Sequence, residues 1–182
     1  HAARMEWLIR DLLELSRLET LNNSLPDETV DLKSLAKLVA SEAVDALPEG
    51  QRRHITCQGE ALAILGSRFE LHSAMLNLVV NACKYTEQEG EIVITCWHSE
   101  KGIFVSVKDN GMGIAKAHIP RLTERFYRTD QSRSVNTGGT GLGLAIVKHV
   151  LLRHDAKLEI SSELGEGSEF VCRFPLSRLS VL

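Results

Sequence analysis

The sequence predicts an α+β domain, a two-layer sandwich in which about three α-helices cover one face of a mixed β-sheet, with one more helix ahead of it. Two observations carry this. "GEIVITCWHS" and "GIFVSVKDN" alternate apolar and polar residues across a Glu-Lys-Gly turn, and "AKLEISSE" with "EFVCRFPL" does so across "LGEGS", so each pair reads as a hairpin. Three other runs carry apolar residues at helical spacing, the longest being "RFELHSAMLNLVVNACKYT" with Leu71, Met75, Leu78, Val79 and Ala82.

The elements follow in order. Met5, Leu8, Leu12 and Leu15, with Ile9, Leu13 and Leu18 beside them, predict a first helix with a wide apolar stripe. It starts in mid-pattern, without a capping residue, as part of a helical bundle would. "TLNNSLPDETV" reads as a linker, ending at a helix capped near Asp31 that runs to about Ala46, where "PEG" stops it. "HITCQG" and "ALAIL" are short strands, followed by the long helix and the first hairpin. "HIPRLTERF" is a candidate short helix, "YRTDQSRSVNTGG" a polar loop, and "LGLAIVKHVLLRHD" the last helix before the second hairpin.

At 182 residues the chain can form one domain with a sizeable core and an appendage. Its formal net charge of -3 provides no general field for nucleic acid or an anionic membrane, so no nucleic-acid partner is expected. Cys57, Cys83, Cys96 and Cys172 are far apart with no C-x-x-C pair, which reads as buried thiols ahead of a metal site or disulfide framework. No apolar run reaches membrane-spanning length.

Chemistry concentrates in four places. "TGGTGLG" places four glycines in seven residues at the start of the last helix. Free N–H groups there, unobstructed by side chains, make an anion site. The P-loop pattern fails because Leu144 and Ala145 follow Gly143, and the dinucleotide fingerprint fails because Gly139, Gly141 and Gly143 alternate. Asn77 and Asn81 lie four residues apart on one helical face, with Lys84 and Tyr85 a turn later. An amide oxygen can ligate Mg²⁺, yet such a pair can equally cap or crosslink a core. Asp109 of "DNGMGI" can accept from the exocyclic amine of adenine, or simply belong to a turn. Arg121, Arg125, Arg128 and Arg133 precede the glycine run, as a solvated face or as phosphate-binding groups.

Taken in order, the set resembles the ATP-binding catalytic domain of the sensor histidine kinases, within the group that includes DNA gyrase, Hsp90 and MutL, and so implies a Bergerat-type fold. "NLVVNACKYT" is similar to the N box, "DNGMGI" to the first glycine box and "ERFYR" to the F box. "GGTGLGLAIVK" is similar to the second glycine box and "LGEGSEF" to the closing glycine motif, so the likeness spans roughly Asp31 to Leu176. "IPRLTERFYR" with the second glycine box most resembles the phosphate-regulon branch.

The resemblance implies ATP and Mg²⁺ as ligands. It places Mg²⁺ on Asn81, with Asn77 as companion, phosphates near Lys84, and Tyr85 against the nucleotide. Asp109 takes the adenine amine while Gly111 and Gly113 let the base approach, and Arg128 reaches the γ-phosphate. Gly139, Thr140, Gly141 and Gly143 wrap the triphosphate, Leu142 and Leu144 anchor that segment, and "RTDQSRSVNT" corresponds to the ATP lid. Lys84 and Arg128 are thus the expected catalytic cations.

The family's phosphoacceptor pattern, a histidine followed by an acidic residue, Leu-Arg and later Thr-Pro, fits none of the seven histidines. The expected organisation is therefore residues 1–20 as the second helix of a truncated dimerisation bundle, 21–30 as linker and 31–182 as the catalytic ATP-binding domain. By the same resemblance the parent is a bacterial inner-membrane sensor with a cytoplasmic kinase region, dimeric through its bundle and partnered by a response regulator. The chain alone is not expected to autophosphorylate. Rival readings are another ATPase or kinase of the same group, or a nucleotide-sensing module without turnover.

Overall fold

The computed structural model describes residues 2–20, 27–47, 53–129 and 140–182, with side chains from Met5 onward. The elements are α1 (Ala2–Thr20), β1 (Glu28–Asp31), α2 (Leu32–Asp45), β2 (His54–Gly59), β3 (Ala63–Gly66), α3 (Arg68–Tyr85), β4 (Glu91–Ser99), β5 (Gly102–Asp109), α4 (Gly143–Arg153), β6 (Lys157–Glu163), β7 (Gly167–Phe174) and β8 (Leu179–Ser180). The expected α+β class is present. A five-stranded sheet runs in the order β2-β4-β5-β7-β6, mixed because β2 is parallel to β4 while the other pairs are antiparallel.

β5 is the central strand and is buried at every position except Lys108. Such burial suits its "GIFVSV" run better than a half-exposed alternation would. The helices α2, α3 and α4 bring Leu35, Val39, Leu71, Leu78, Ile146 and Val150 into one core with Ile92, Ile94, Val105 and Val107 of the sheet. Helix starts follow capping chemistry: the Asp31 carboxylate accepts the Ser34 N–H at 3.1 Å, and Ser67 Oγ accepts the Glu70 N–H at 3.3 Å.

Three features differ from the sequence expectations. Glu28–Asp31, three of whose four residues fall in the span 21–30 read as linker, pairs with β3, and β3 pairs with β8, so a second, three-stranded sheet β1-β3-β8 is present. "HIPRLTERF" forms only a 3-10 turn at Ile119–Arg121, with Pro120 in its first turn. The α1 stripe is divided: Leu15 and Leu18 are buried and Leu8 packs on the core, while Met5, Leu12 and Leu13 stay exposed with Trp7 and Ile9.

Buried polar groups tie the helix layer together. The Glu70 carboxylate receives two guanidinium bonds from Arg153, at 2.7 and 3.2 Å, with Arg17 of α1 at 3.9 Å. The His154 ring accepts the Ser67 N–H on Nε2 at 3.0 Å and donates from Nδ1 to the Val150 carbonyl at 2.8 Å. Burial, aided by Arg178, pulls its pKa below the ordinary 6.5, against the opposing pull of the Val150 bond, Glu70 and Asp27. The folded state therefore favours neutral His154, whose contribution is complete above about pH 6.5 and is lost as pH falls towards the lower folded value. The thermal midpoint should fall between pH 7 and 5 more steeply in the native chain than in His154→Gln; parallel pH profiles for the two would contradict this.

Candidate nucleotide site

The carboxyl-terminal half of α3 is the middle of the site. Asn77 and Asn81 are half-buried on one face, Lys84 is exposed and Tyr85 ends the helix half-buried. On one side the turn after β5 presses against this end. Met112 N donates to the Tyr85 carbonyl at 3.1 Å, and a Cβ on Gly111 would stand 2.0 Å from that same oxygen. Asp109, 4% exposed, accepts the Gly111 N–H on Oδ1 at 2.9 Å. Burial raises its pKa, and amide bonds from Gly111 and Ser168 offset part of that rise.

On the other side lies the start of α4. A Cβ on Gly143 would come 2.8 Å from Asn77 Oδ1, so α3 and α4 cross closely at this pair, while Asn77 Nδ2 donates to Ser73 O. Gly141, at φ +78°, has its carbonyl bonded by the Phe126 N–H at 2.8 Å and no space for a Cβ against the Phe126 backbone. This bond fastens the "ERFYR" segment to the glycine run. Thr140 Oγ1 accepts the Leu142 N–H at 3.2 Å, and Leu142 is fully buried, as an anchor requires.

The cations divide by environment. Lys84 retains solvent exposure, yet desolvation by the surrounding chain and then the Arg128 charge lower its pKa, opposed by Asp11 of α1. Arg121 pairs with Glu124 at 2.9 Å and lies over the Tyr127 ring at 4.4 Å, while Arg125 pairs with Glu19 of α1. Those two arginines serve structure. Gly139, Arg133 and most of "RTDQSRSVNT" lie outside the described residues.

Gly113, at φ +74°, would place a Cβ 2.1 Å from the Glu163 carbonyl, and Gly167 would place one 2.0 Å from the Asp109 carbonyl. Sequence reasoning did not single out Gly167, Ser162 or Ser168. Ser162 Oγ accepts the Ile114 N–H at 2.7 Å, donates to Gly167 O at 2.9 Å and contacts Ser168 Oγ at 2.7 Å, so it fixes the turn that carries Asp109. An apolar groove lined by Ile119, Leu151, Leu152, Leu158 and Ile160 contains none of the expected site residues.

The histidine kinase-, DNA gyrase B-, and HSP90-like ATPase family matches residues 66–178. The phosphate regulon sensor protein PhoR of Pseudomonas aeruginosa is 51% identical over 174 residues, covering 95% of this chain and 39% of that protein. The sensor-like histidine kinase SenX3 of Mycolicibacterium smegmatis is 38% identical over 173 residues, covering 94% of this chain and 45% of the relative. The chain thus spans about two fifths of the length of these curated relatives. Among solved structures, full-length ShkA in complex with AMPPNP has a TM-score of 0.81 at 28% identity, covering 96% of this chain and 36% of that one. Mycobacterial sensor histidine kinase MprB has a TM-score of 0.72 at 25% identity, over 81% of this chain and 97% of the other. The chain belongs to the histidine kinase-, DNA gyrase B-, and HSP90-like ATPase family, and within it is a histidine kinase ATP-binding domain related to PhoR and SenX3.

Proposed function

We propose that the chain binds ATP with Mg²⁺ between α3, the Asp109–Gly113 turn and the start of α4, and serves as the catalytic part of a sensor histidine kinase. The γ-phosphoryl group goes to a histidine outside the residues of this chain and from there to a response regulator. The likeness to PhoR favours a PhoB-like regulator, phosphate-starvation signalling and a membrane-anchored dimeric parent with a cytoplasmic kinase region. The observation that carries the nucleotide reading is Asp109, a buried carboxylate at the end of the central strand, seated against the last turn of the helix that holds Asn81 and Lys84.

Phosphoryl transfer demands positioning and charge neutralisation more than covalent chemistry from the protein. Asp109 accepts from the adenine amine and fixes the base, and Tyr85 lies beside it. Lys84 and Arg128 neutralise phosphate oxygens; their mutual repulsion, one cause of Lys84's lowered pKa, is relieved when an anion comes between them. Thr140 and the N–H groups at the start of α4 hold the phosphate chain, and buried Leu142 fixes their position.

Among the described residues no group of three or more His, Cys, Asp or Glu side chains is arranged to hold a metal. Half-buried Asn81 offers a single amide oxygen, with Asn77 on the same face, and Mg²⁺ commonly takes one or two protein oxygens and completes its shell with phosphate and water. When bound, Mg²⁺ supplies further charge neutralisation at the phosphates.

Calorimetric titration with an ATP analogue, with and without Mg²⁺, tests the reading. Saturable binding is expected, and Asn81→Ala should weaken the Mg²⁺-dependent binding by about tenfold. No heat at millimolar analogue would refute it. With γ-labelled ATP, the chain alone should acquire no label on histidine.

A further inference from the structure

The placement of α1 bears on how the nucleotide site fills. Leu15 and Leu18, 1% and 4% exposed, bury the inner face of α1, which lies along α4. Its carboxyl end is held by charge. Glu19 pairs with Arg125 and lies 3.4 Å from His149, and the Arg17 guanidinium stands 5.2 Å from the centre of the Phe69 ring. Two turns earlier, Asp11 leaves the helix layer for the site: its Oδ2 accepts a hydrogen bond from Thr140 Oγ1 at 2.7 Å.

Thr140 belongs to the glycine run, and its hydroxyl already accepts the Leu142 N–H. A hydroxyl has one proton to donate, so Thr140 cannot give it to Asp11 and to a phosphate oxygen at once. The Asp11 charge also acts on Lys84, raising its pKa against desolvation and the Arg128 charge. Two groups assigned here to phosphate, the Thr140 hydroxyl and the Lys84 ammonium, are thus already under the influence of a carboxylate from α1.

We propose that Asp11 is a built-in competitor for the nucleotide phosphates, so that filling of the site and docking of α1 on α4 exclude one another. This rests on the nucleotide reading of the site. Two anions sharing a partly buried seat repel, so a polyphosphate entering beside Thr140 displaces the carboxylate and loosens the helix that carries it. The docked helix is suited to release. Glu14 Oε1 and Arg17 Nη2 are enclosed without a hydrogen-bond partner among the described residues, which counts against tight docking.

The test is calorimetric titration of the whole chain, Asp11→Asn and Leu15→Ser with AMPPNP and Mg²⁺, with amide hydrogen exchange of residues 5–20 read in the same samples. Asp11→Asn keeps an oxygen for Thr140 and removes the charge, and should tighten binding by about three- to tenfold. Leu15→Ser undocks α1 by a different route and should tighten binding as well. In the native chain, saturating analogue should speed exchange across α1. Equal or weaker binding by Asp11→Asn, or α1 protection unchanged at saturation, overturns the inference and leaves the nucleotide reading intact. If none of the three chains binds at millimolar analogue, the nucleotide reading fails and the inference with it. Binding only by the variants would support both.

Discussion

Asp109→Ala is expected to lower the affinity for an ATP analogue by about two orders of magnitude, the equivalent of ~2.7 kcal/mol. The carboxylate is buried, so water cannot take over its place beside the base. The same substitution leaves the Gly111 and Ser168 amides without their acceptor, which costs the fold about 1–3 kcal/mol. Asp109→Asn separates the two effects. It retains an oxygen for Gly111 and should recover much of the stability, while its amide nitrogen faces the adenine amine donor to donor and affinity stays low. Calorimetry gives the first quantity and thermal unfolding the second. Undiminished affinity in Asp109→Ala would remove this residue from the site.

Gly113→Ala is expected to destabilise the domain by about 3 kcal/mol, combining a left-handed backbone with overlap of packed atoms. For a chain of this size that lowers the thermal midpoint by on the order of 10 °C. The reason lies in its surroundings: φ is +74° and the added methyl would stand 2.1 Å from the Glu163 carbonyl. Gly165 makes the comparison clean. It has φ +83° with nothing within 4 Å of its Cβ position, so Gly165→Ala should show the backbone cost alone, about 1–2 kcal/mol. Equal midpoints for the two variants would show that the Glu163 contact carries no energy.

These glycines mark where sequence reading stops. Their clustering says that a Cβ has no room but not what takes its place. At Gly111, Gly113, Gly141 and Gly143 the near neighbours are Tyr85, Glu163, Phe126 and Asn77 of the same chain. Elements with strong local signals were legible: α2 begins after Asp31, α3 spans Arg68–Tyr85 and β2 coincides with "HITCQG". The small sheet was not, because β1 has four residues and β8 two, and their pairing with β3 joins positions far apart in sequence. Helical period identified α1 and its apolar residues, yet period does not name a partner, and only the structure divides Leu15 and Leu18 from Met5 and Leu13. Asp109 was legible as an acceptor at a strand end. The serine pair Ser162 and Ser168 that holds its turn was not, since a hydroxyl network leaves no pattern along a strand.

That small sheet has a topological consequence. Thr29 Oγ1 lies 3.1 Å from Ser180 Oγ, and Arg178 lies 3.4 Å from Asp27, so the polypeptide enters and leaves the α/β core at neighbouring points. Such a path is nearly a closed ring. A short peptide from residue 180 to residue 27, with a new opening in the exposed Glu87–Glu89 turn, would give a circular permutant that keeps every strand pairing while α3 becomes the last helix of the chain instead of the third.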